Sequence, residues 1–288
     1  MSDTTDRDDV TGIDTTGHEW DGIKELNNPL PRWWLWTFYI TIVWGILYTI
    51  AYPAWPLIDR ATGGLLGHST RAEVAEDIAA VNAANAEVSA QLAAADLSTL
   101  APGDPAHQYG VAGGAAVFRA HCSQCHGQGA AGFVGYPNLI DDAWLWGGTL
   151  EDIEYTVRHG IRNEQDPDAH WSEMPAFGEI LETDDILAIA EHVLSISGQD
   201  HDAGLAATGT ELFLDNCASC HGDMGEGIRD LGAPTLTDAI WLYGGDRDTL
   251  IETITYSRFG VMPAMGQRLD EAEVKAVTLY LHQLGGGE

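Results

Sequence analysis

Two five-residue motifs, Cys122-Ser-Gln-Cys125-His126 and Cys217-Ala-Ser-Cys220-His221, use all four cysteines of the chain and sit at matching places in an internal duplication. One copy reads GAAVFRAHCSQCHG from Gly114, then PNL, DDAWLWGG, HGIR, MPAFG and an apolar-periodic stretch near 184–196. The other reads GTELFLDNCASCHG from Gly209, then PTL, DAIWLYGG, RFG, MPAMG and an apolar-periodic stretch near 270–284. The landmarks keep one order and only the lengths between them differ, which marks a repeated structural unit. Apolar spacing predicts a helix leading into each cysteine pair and another closing each copy after its methionine. Neither copy alternates long enough to form a strand. The Gly- and Asp-rich stretch SGQDHDAGLAAT, 197–208, reads as the boundary between them.

The chemistry of CxxCH explains its spacing. Two thiols one helical turn apart can each add to a vinyl group on one edge of a haem, and the next residue then presents an imidazole to the iron. The motifs therefore predict two haem c groups, covalently attached through Cys122 and Cys125 and through Cys217 and Cys220, with His126 and His221 on the metals. A dithiol redox pair is expected beside a βαβ pattern, which is not visible. Structural zinc could use cysteine and histidine, but it would leave the matching downstream methionines unexplained.

Iron takes a sixth ligand or keeps an open site. Met174 and Met262 stand at equivalent places, each followed by Pro-Ala. A soft thioether suits haem iron and raises its potential, and the proline stiffens the backbone behind the sulfur. Met265 aligns with Phe177 and is assigned to packing, and Met224 to core filling. In the stretches that begin at Pro137 and Pro234, a backbone carbonyl is expected to accept the remaining N–H of each ligand histidine. Trp144 and Trp241 are candidates to cover a haem edge, and Arg158 and Arg258 to balance propionate charge, with core and surface roles as the alternatives. His159, His170, His192 and His282 lack counterparts in the other repeat and read as structural; a bis-histidine first haem through His159 or His170 is the rival.

Upstream of the duplication, Trp33–Tyr52 carries no charge. At a rise of ~1.5 Å per residue it spans roughly 30 Å, the thickness of a bilayer's hydrocarbon core. Arg32 precedes it, aromatic residues cluster at both ends, and Pro53 and Pro56 stop it. It is longer than a signal-peptide core and no small-x-small site follows, so it reads as an uncleaved anchor. Lys24 and Arg32 before it, with only Arg60 close behind, favour an inside N-terminus. Haem attachment outside the bacterial membrane gives the same orientation. Residues 71–99 place Val74, Ile78, Val81, Asn85, Val88 and Leu92 on one helical face that should rest on a domain or another subunit. The expected organisation is an N-terminal cytoplasmic segment (1–32), a transmembrane anchor (33–56), a helical linker (57–107) and two cytochrome c domains (108–198 and 205–288). The fold class is all-α: one N-terminal transmembrane helix followed by two tandem class I-like cytochrome c domains.

Acidic residues outnumber basic ones by 44 to 13. Such a chain cannot replace phosphate counterions, which excludes a nucleic-acid partner, while it would attract a cationic protein. GxGxxG and P-loop patterns are absent, and no nucleophile or acid–base constellation stands out. Electron carriage is the function expected, with no catalytic residue.

HEWDGIKELNNPLPRWW (His18–Trp34), YPAWP and the paired CxxCH copies with MPAFG and MPAMG resemble the diheme subunit, subunit III, of cbb3-type cytochrome c oxidases. The likeness covers most of the chain, and the pre-anchor motif is its specific part. The resemblance implies an electron-transfer subunit in the bacterial inner membrane, single-pass, with an N-terminus in the cytoplasm and periplasmic haem domains. It would pass electrons from a donor cytochrome c toward a monohaem cytochrome c subunit and a catalytic b-haem/copper subunit that reduces oxygen to water. Carried over, the ligand sets would be His126 with Met174 and His221 with Met262. The alternative is the membrane-bound diheme subunit of a periplasmic dehydrogenase. A diheme peroxidase would need one open iron.

Overall fold

The computed structural model describes residues 6–285 and 287. It divides into two compact units, Met1–Ala83 and Ala84–Glu288.

The first unit opens with an antiparallel hairpin, β1 (Thr15–Trp20) and β2 (Ile23–Leu26), turning at Asp21-Gly22. Asp-Gly between short runs is a hairpin signal, and the sequence-based organisation, which gave 1–32 only as an N-terminal segment, did not use it. Helix α1 (Arg32–Ala51) follows and buries none of its side chains. Tyr52 is already extended, because the residue before a proline is pushed out of helical geometry. Length and composition suit α1 to crossing a membrane. Helix α2 (Thr70–Ala94) starts where the Ser69 hydroxyl accepts from Ala72 N.

The expected apolar face of α2 divides along its length. Val74, Ile78 and Val81 are exposed, whereas Val88 packs on a core of the second unit and Leu92 is fully buried there. Lys275 donates to the carbonyls of Ala93 and Ala95 at 2.9 and 2.6 Å, satisfying the acceptors at the end of α2.

The first repeat forms α3 (Pro105–Val117), a π-helical turn over Phe118–Cys122, α4 (Ser123–His126), α5 (Leu150–His159) and α6 (Thr183–Ile196). The second forms α7 (Ala203–Asn216), α8 (Ala218–His221), α9 (Arg247–Tyr256) and α10 (Glu271–His282). Asp104, Thr149, Asp202, Asp246 and Asp270 cap α3, α5, α7, α9 and α10 with side-chain oxygens.

These helices pack across the repeats. Helix α10 lies against α3 and α5, and α6 lies against α7 and α9. One core joins Phe118, Ile153 and Val157 to Val274, Val277 and Leu281; the other joins Phe213, Leu250 and Ile254 to Ile186, Ile189 and Val193. Each core therefore combines the front of one repeat with the closing helix of the other.

The physical reason lies in the crossing code and the connection. At Gly114 an added Cβ would fall 2.0 Å from Ala276 O, and at Gly209 it would fall 1.9 Å from Ala188 O. Both crossings thus need glycine for the same close approach, and buried Phe118 and Phe213 follow at matching places. The two repeats offer nearly the same surface to a closing helix, so side chains discriminate little between own and other. The short stretch 197–202 joins α6 directly to α7, and helices joined by short connections pack as neighbours. With α6 held by α7, α10 is left to α3.

Candidate functional site

Each CxxCH motif lies at the end of its repeat's first helix. Cys122 closes the π-helical turn and Cys125 with His126 falls in α4; Cys217 caps α7 and Cys220 with His221 falls in α8. All four cysteines are unbridged. Burial, then the neighbouring cysteine, pushes the Cys122 and Cys217 thiols up to about 11. A redox-active dithiol needs the opposite shift, toward thiolate. Among the described residues, the one group of three His, Cys, Asp or Glu that could converge on an ion is His159, Asp166 and Asp168, with no cysteine in it.

The histidines are tied as the sequence suggests. His126 Nδ1 lies 3.1 Å from the carbonyl of Pro137, and His221 Nδ1 lies 3.0 Å from that of Pro234. A carbonyl only accepts, so Nδ1 carries the hydrogen and Nε2 keeps its lone pair for a metal. Burial lowers both imidazole pKa values, with the carbonyl contact opposing it. Both rings are thereby favoured in the neutral form that ligates.

The methionines arrive from the opposite repeat. Met262, with Cys122, Leu139 and Trp144, packs against the core containing Phe118 and Ile153. Met174, with Leu236 and Trp241, packs against the core containing Cys217 and Phe213. Main-chain contacts fix both loops. Ile161, just past α5, exchanges two backbone hydrogen bonds of 3.0 Å with Met262. Ser257, just past α9, donates its hydroxyl to the Met174 carbonyl. This packing departs from the pairing of His126 with Met174 and His221 with Met262, because the closing segments are exchanged between the repeats.

The donor set suits haem c in both places: two thiols and an oriented neutral imidazole from one repeat, a thioether from the other, and an apolar wall around them. Met265 is buried in the first core at the start of a 3-10 turn, as Phe177 is in the second, consistent with packing. Met224 is 74 % exposed and fills no core. Trp144 and Trp241 each pack against a core, the first against the one that Cys122 also borders and the second against the one that includes Cys217.

Arg158 is engaged by Glu154 and by both oxygens of Glu271, each at 2.7 Å. Arg258 donates to Thr249 O and Thr253 Oγ1 and covers the Tyr243 ring. His159 pairs with Asp166, His170 with Thr156 and the Trp146 ring, and His192 with Thr210. Each of these three histidines thus has a partner within the chain. Sequence reasoning missed Ile161, Arg162 and Ser257; the landmark HGIR contains the first two and RFG begins one residue after Ser257, but nothing in them announces a contact to a distant loop.

Comparison with known proteins covers nearly the whole chain. Residues 12–59 match the family described as the N-terminal domain of cytochrome oxidase-cbb3, FixP. Residues 110–193 and again 204–281 match cytochrome c oxidase, cbb3-type, subunit III. The chain is 61 % identical over 276 residues to the cbb3-type cytochrome c oxidase subunit CcoP of Cereibacter sphaeroides, covering 95 % of each. It is 52 % identical to the Rhodobacter capsulatus CcoP, over 96 % of this chain and 97 % of that one. It is 50 % identical to the FixP subunit of Azorhizobium caulinodans, over 98 % and 96 %.

Proposed function

Because the chain belongs to the cbb3-type cytochrome c oxidase subunit III family, a haem c-binding, electron-transferring, membrane-associated subunit of an oxidase and not a catalyst alone, we propose that it carries two covalent haems whose axial ligands are crossed between its repeats. His126 and Met262 would hold the haem on Cys122 and Cys125. His221 and Met174 would hold the one on Cys217 and Cys220. The observation that carries this reading is the reciprocal exchange of α6 and α10, which puts each methionine loop beside the other repeat's cysteines.

When bound, haem c at each place would supply one-electron exchange between two iron oxidation states. The chain's own residues do the rest. Pro137 and Pro234 orient the imidazoles and raise their basicity through the Nδ1 hydrogen bonds. The thioethers of Met174 and Met262 would favour the reduced state and so raise the potential. Apolar side chains of both cores exclude water, which keeps the surroundings of each centre from reorganising as charge changes. With an imidazole and a thioether both committed to each haem, no place would remain for a substrate, and the chemistry supplied would be outer-sphere electron transfer with no bond made or broken.

In the assembled oxidase the subunit would take electrons from a donor cytochrome c. It would pass them toward the monohaem cytochrome c subunit and the catalytic b-haem/copper subunit. Helix α1 would anchor it in the inner membrane, with the N-terminus in the cytoplasm and residues 84–288 in the periplasm. The acidic excess of 44 over 13 favours a positively charged donor.

Two measurements test this. Intact mass with a pyridine haemochrome assay should count two covalent haems per chain. Isolation from the membrane should bring a b-haem and copper protein with it. One haem, alkylatable cysteines, or a chain fully functional alone would refute the reading.

A further inference from the structure

Arg162 joins the two methionine loops to each other. It stands three residues past the end of α5, half-buried, with φ +50°. That left-handed region is unfavourable for a residue bearing a Cβ and persists only where surrounding contacts enforce it. The contacts are specific. Its backbone N–H donates to His170 O at 2.7 Å. Its side chain donates from Nε to Gly260 O at 2.7 Å and from Nη1 to Ser172 O at 2.8 Å. Gly260 stands two residues before Met262, and Ser172 two residues before Met174.

We infer that Arg162 is a positioning residue that sets both thioether positions at once, so that the two haem sites are mechanically coupled through one guanidinium. The inference rests on the crossed ligation proposed above. Three features support it. Both side-chain acceptors are main-chain carbonyls, and no ion pair to a carboxylate is formed by Arg162 among the described residues, so the group braces backbone more than it neutralises charge. A planar guanidinium donates in several fixed directions from one rigid frame, which a lysine ammonium does not. The brace also has no twin, because the place three residues past α9 holds Phe259, whose ring lies 5.7 Å from the Arg162 guanidinium carbon. One arginine serves both loops.

The test uses the full-length, membrane-assembled, haem-loaded protein with Arg162→Ala, Arg162→Gln and Arg162→Lys, and Arg158→Gln as the comparison. Three readouts are taken: the far-red sulfur-to-iron band of each ferric haem, the two potentials, and hydrogen exchange at the bonded amides that flank each loop, His170 N–H on Gly160 O and Met262 N–H on Ile161 O. In Arg162→Ala, exchange should accelerate by roughly tenfold in both loops, as expected for loss of one or two net hydrogen bonds. Both bands should weaken together and both potentials should fall. Arg162→Lys should fail to restore both loops. Arg162→Gln keeps the variant testable if the alanine form does not fold. A response confined to one loop and one haem, or none in either, overturns the coupling. Failure of the crossed ligation reads differently: Met262→Ala would then alter the haem on Cys217 and Cys220, whatever Arg162 does.

Discussion

Ile161 and Met262 exchange both of their main-chain hydrogen bonds, each 3.0 Å long, although they belong to different repeats. The pair fixes the Met262 backbone from the first repeat's α5, as the Ser257 hydroxyl fixes Met174 from the second repeat's α9. Each methionine loop is thus held by the half of the molecule whose cysteines it faces.

The first prediction follows from this crossing. Met262→Ala should lower the potential of the haem on Cys122 and Cys125, and Met174→Ala that of the haem on Cys217 and Cys220. Both haems stay attached, since the thioether bonds are untouched. Axial ligands span roughly 0.8 V of haem potential, so loss of a sulfur ligand should be resolved in a redox titration. Assignment comes from repeating each substitution in a background lacking one cysteine pair. Effects within a repeat, Met262 acting on the haem of Cys217, would refute the crossed set.

Much of this was legible in the sequence, and what was not has physical causes. Period and spacing gave the helices, the anchor and the CxxCH motifs, because local pattern decides those. A carbonyl acceptor in the stretches at Pro137 and Pro234 was legible because ligand geometry demands one near each histidine, and the structure assigns it to the prolines themselves. The exchange of α6 and α10 was hidden, since Gly114 and Gly209, or Phe118 and Phe213, present equivalent surfaces to either closing helix. Arg158 looked available for a propionate until Glu271, far along the chain, took both of its terminal nitrogens. Arg162 gives no local signal, because neither its left-handed backbone nor its distant carbonyl acceptors can be read from composition or period.

A second prediction separates two adjacent glycines of α3. A methyl at Gly114 would fall 2.0 Å from the Ala276 carbonyl oxygen, whereas the nearest atom to one at Gly113 is Ala276 Cβ at 4.0 Å. Gly114→Ala should therefore destabilise the unit by about 1–3 kcal/mol through overpacking. Gly113→Ala should be neutral or stabilising by up to about 1 kcal/mol, since alanine is the better helix former. Thermal unfolding of the haem-loaded protein reads both. Equal effects would mean that α3 and α10 do not cross at Gly114.

The third prediction concerns acid stability. Glu191 is 2 % exposed and accepts from the Arg247 guanidinium and from Asp202 N at 2.7 Å, tying α6 to the connection into α7. The Arg247 bond, assisted by the Asp202 N–H and opposed by burial, holds its carboxyl below the ordinary 4.5. A carboxyl with a lowered folded pKa stabilises above its unfolded value and loses that stabilisation as pH falls through the folded one. Glu191→Gln should lower the melting temperature at neutral pH and flatten the fall in stability below pH 4.5. Parallel curves for wild type and variant would remove Glu191 from the acid response.

The last prediction bears on what holds α10 to α5. Arg158 lies in the final turn of α5 and Glu271 opens α10, so each charge also faces the favourable end of its own helix. Their two-pronged contact, both arms at 2.7 Å, joins the repeats. Glu271 is 44 % exposed, and solvent screens such a pair. A double-mutant cycle with Arg158→Gln and Glu271→Gln should give a coupling of only about 0.5–1 kcal/mol, shrinking as salt is raised. Because Arg158 is occupied by carboxylates of the chain itself, Arg158→Gln should leave both haem potentials where they are. A large potential shift in that variant would mean that Arg158 answers to a propionate after all, and that the Glu271 contact gives way when haem is bound.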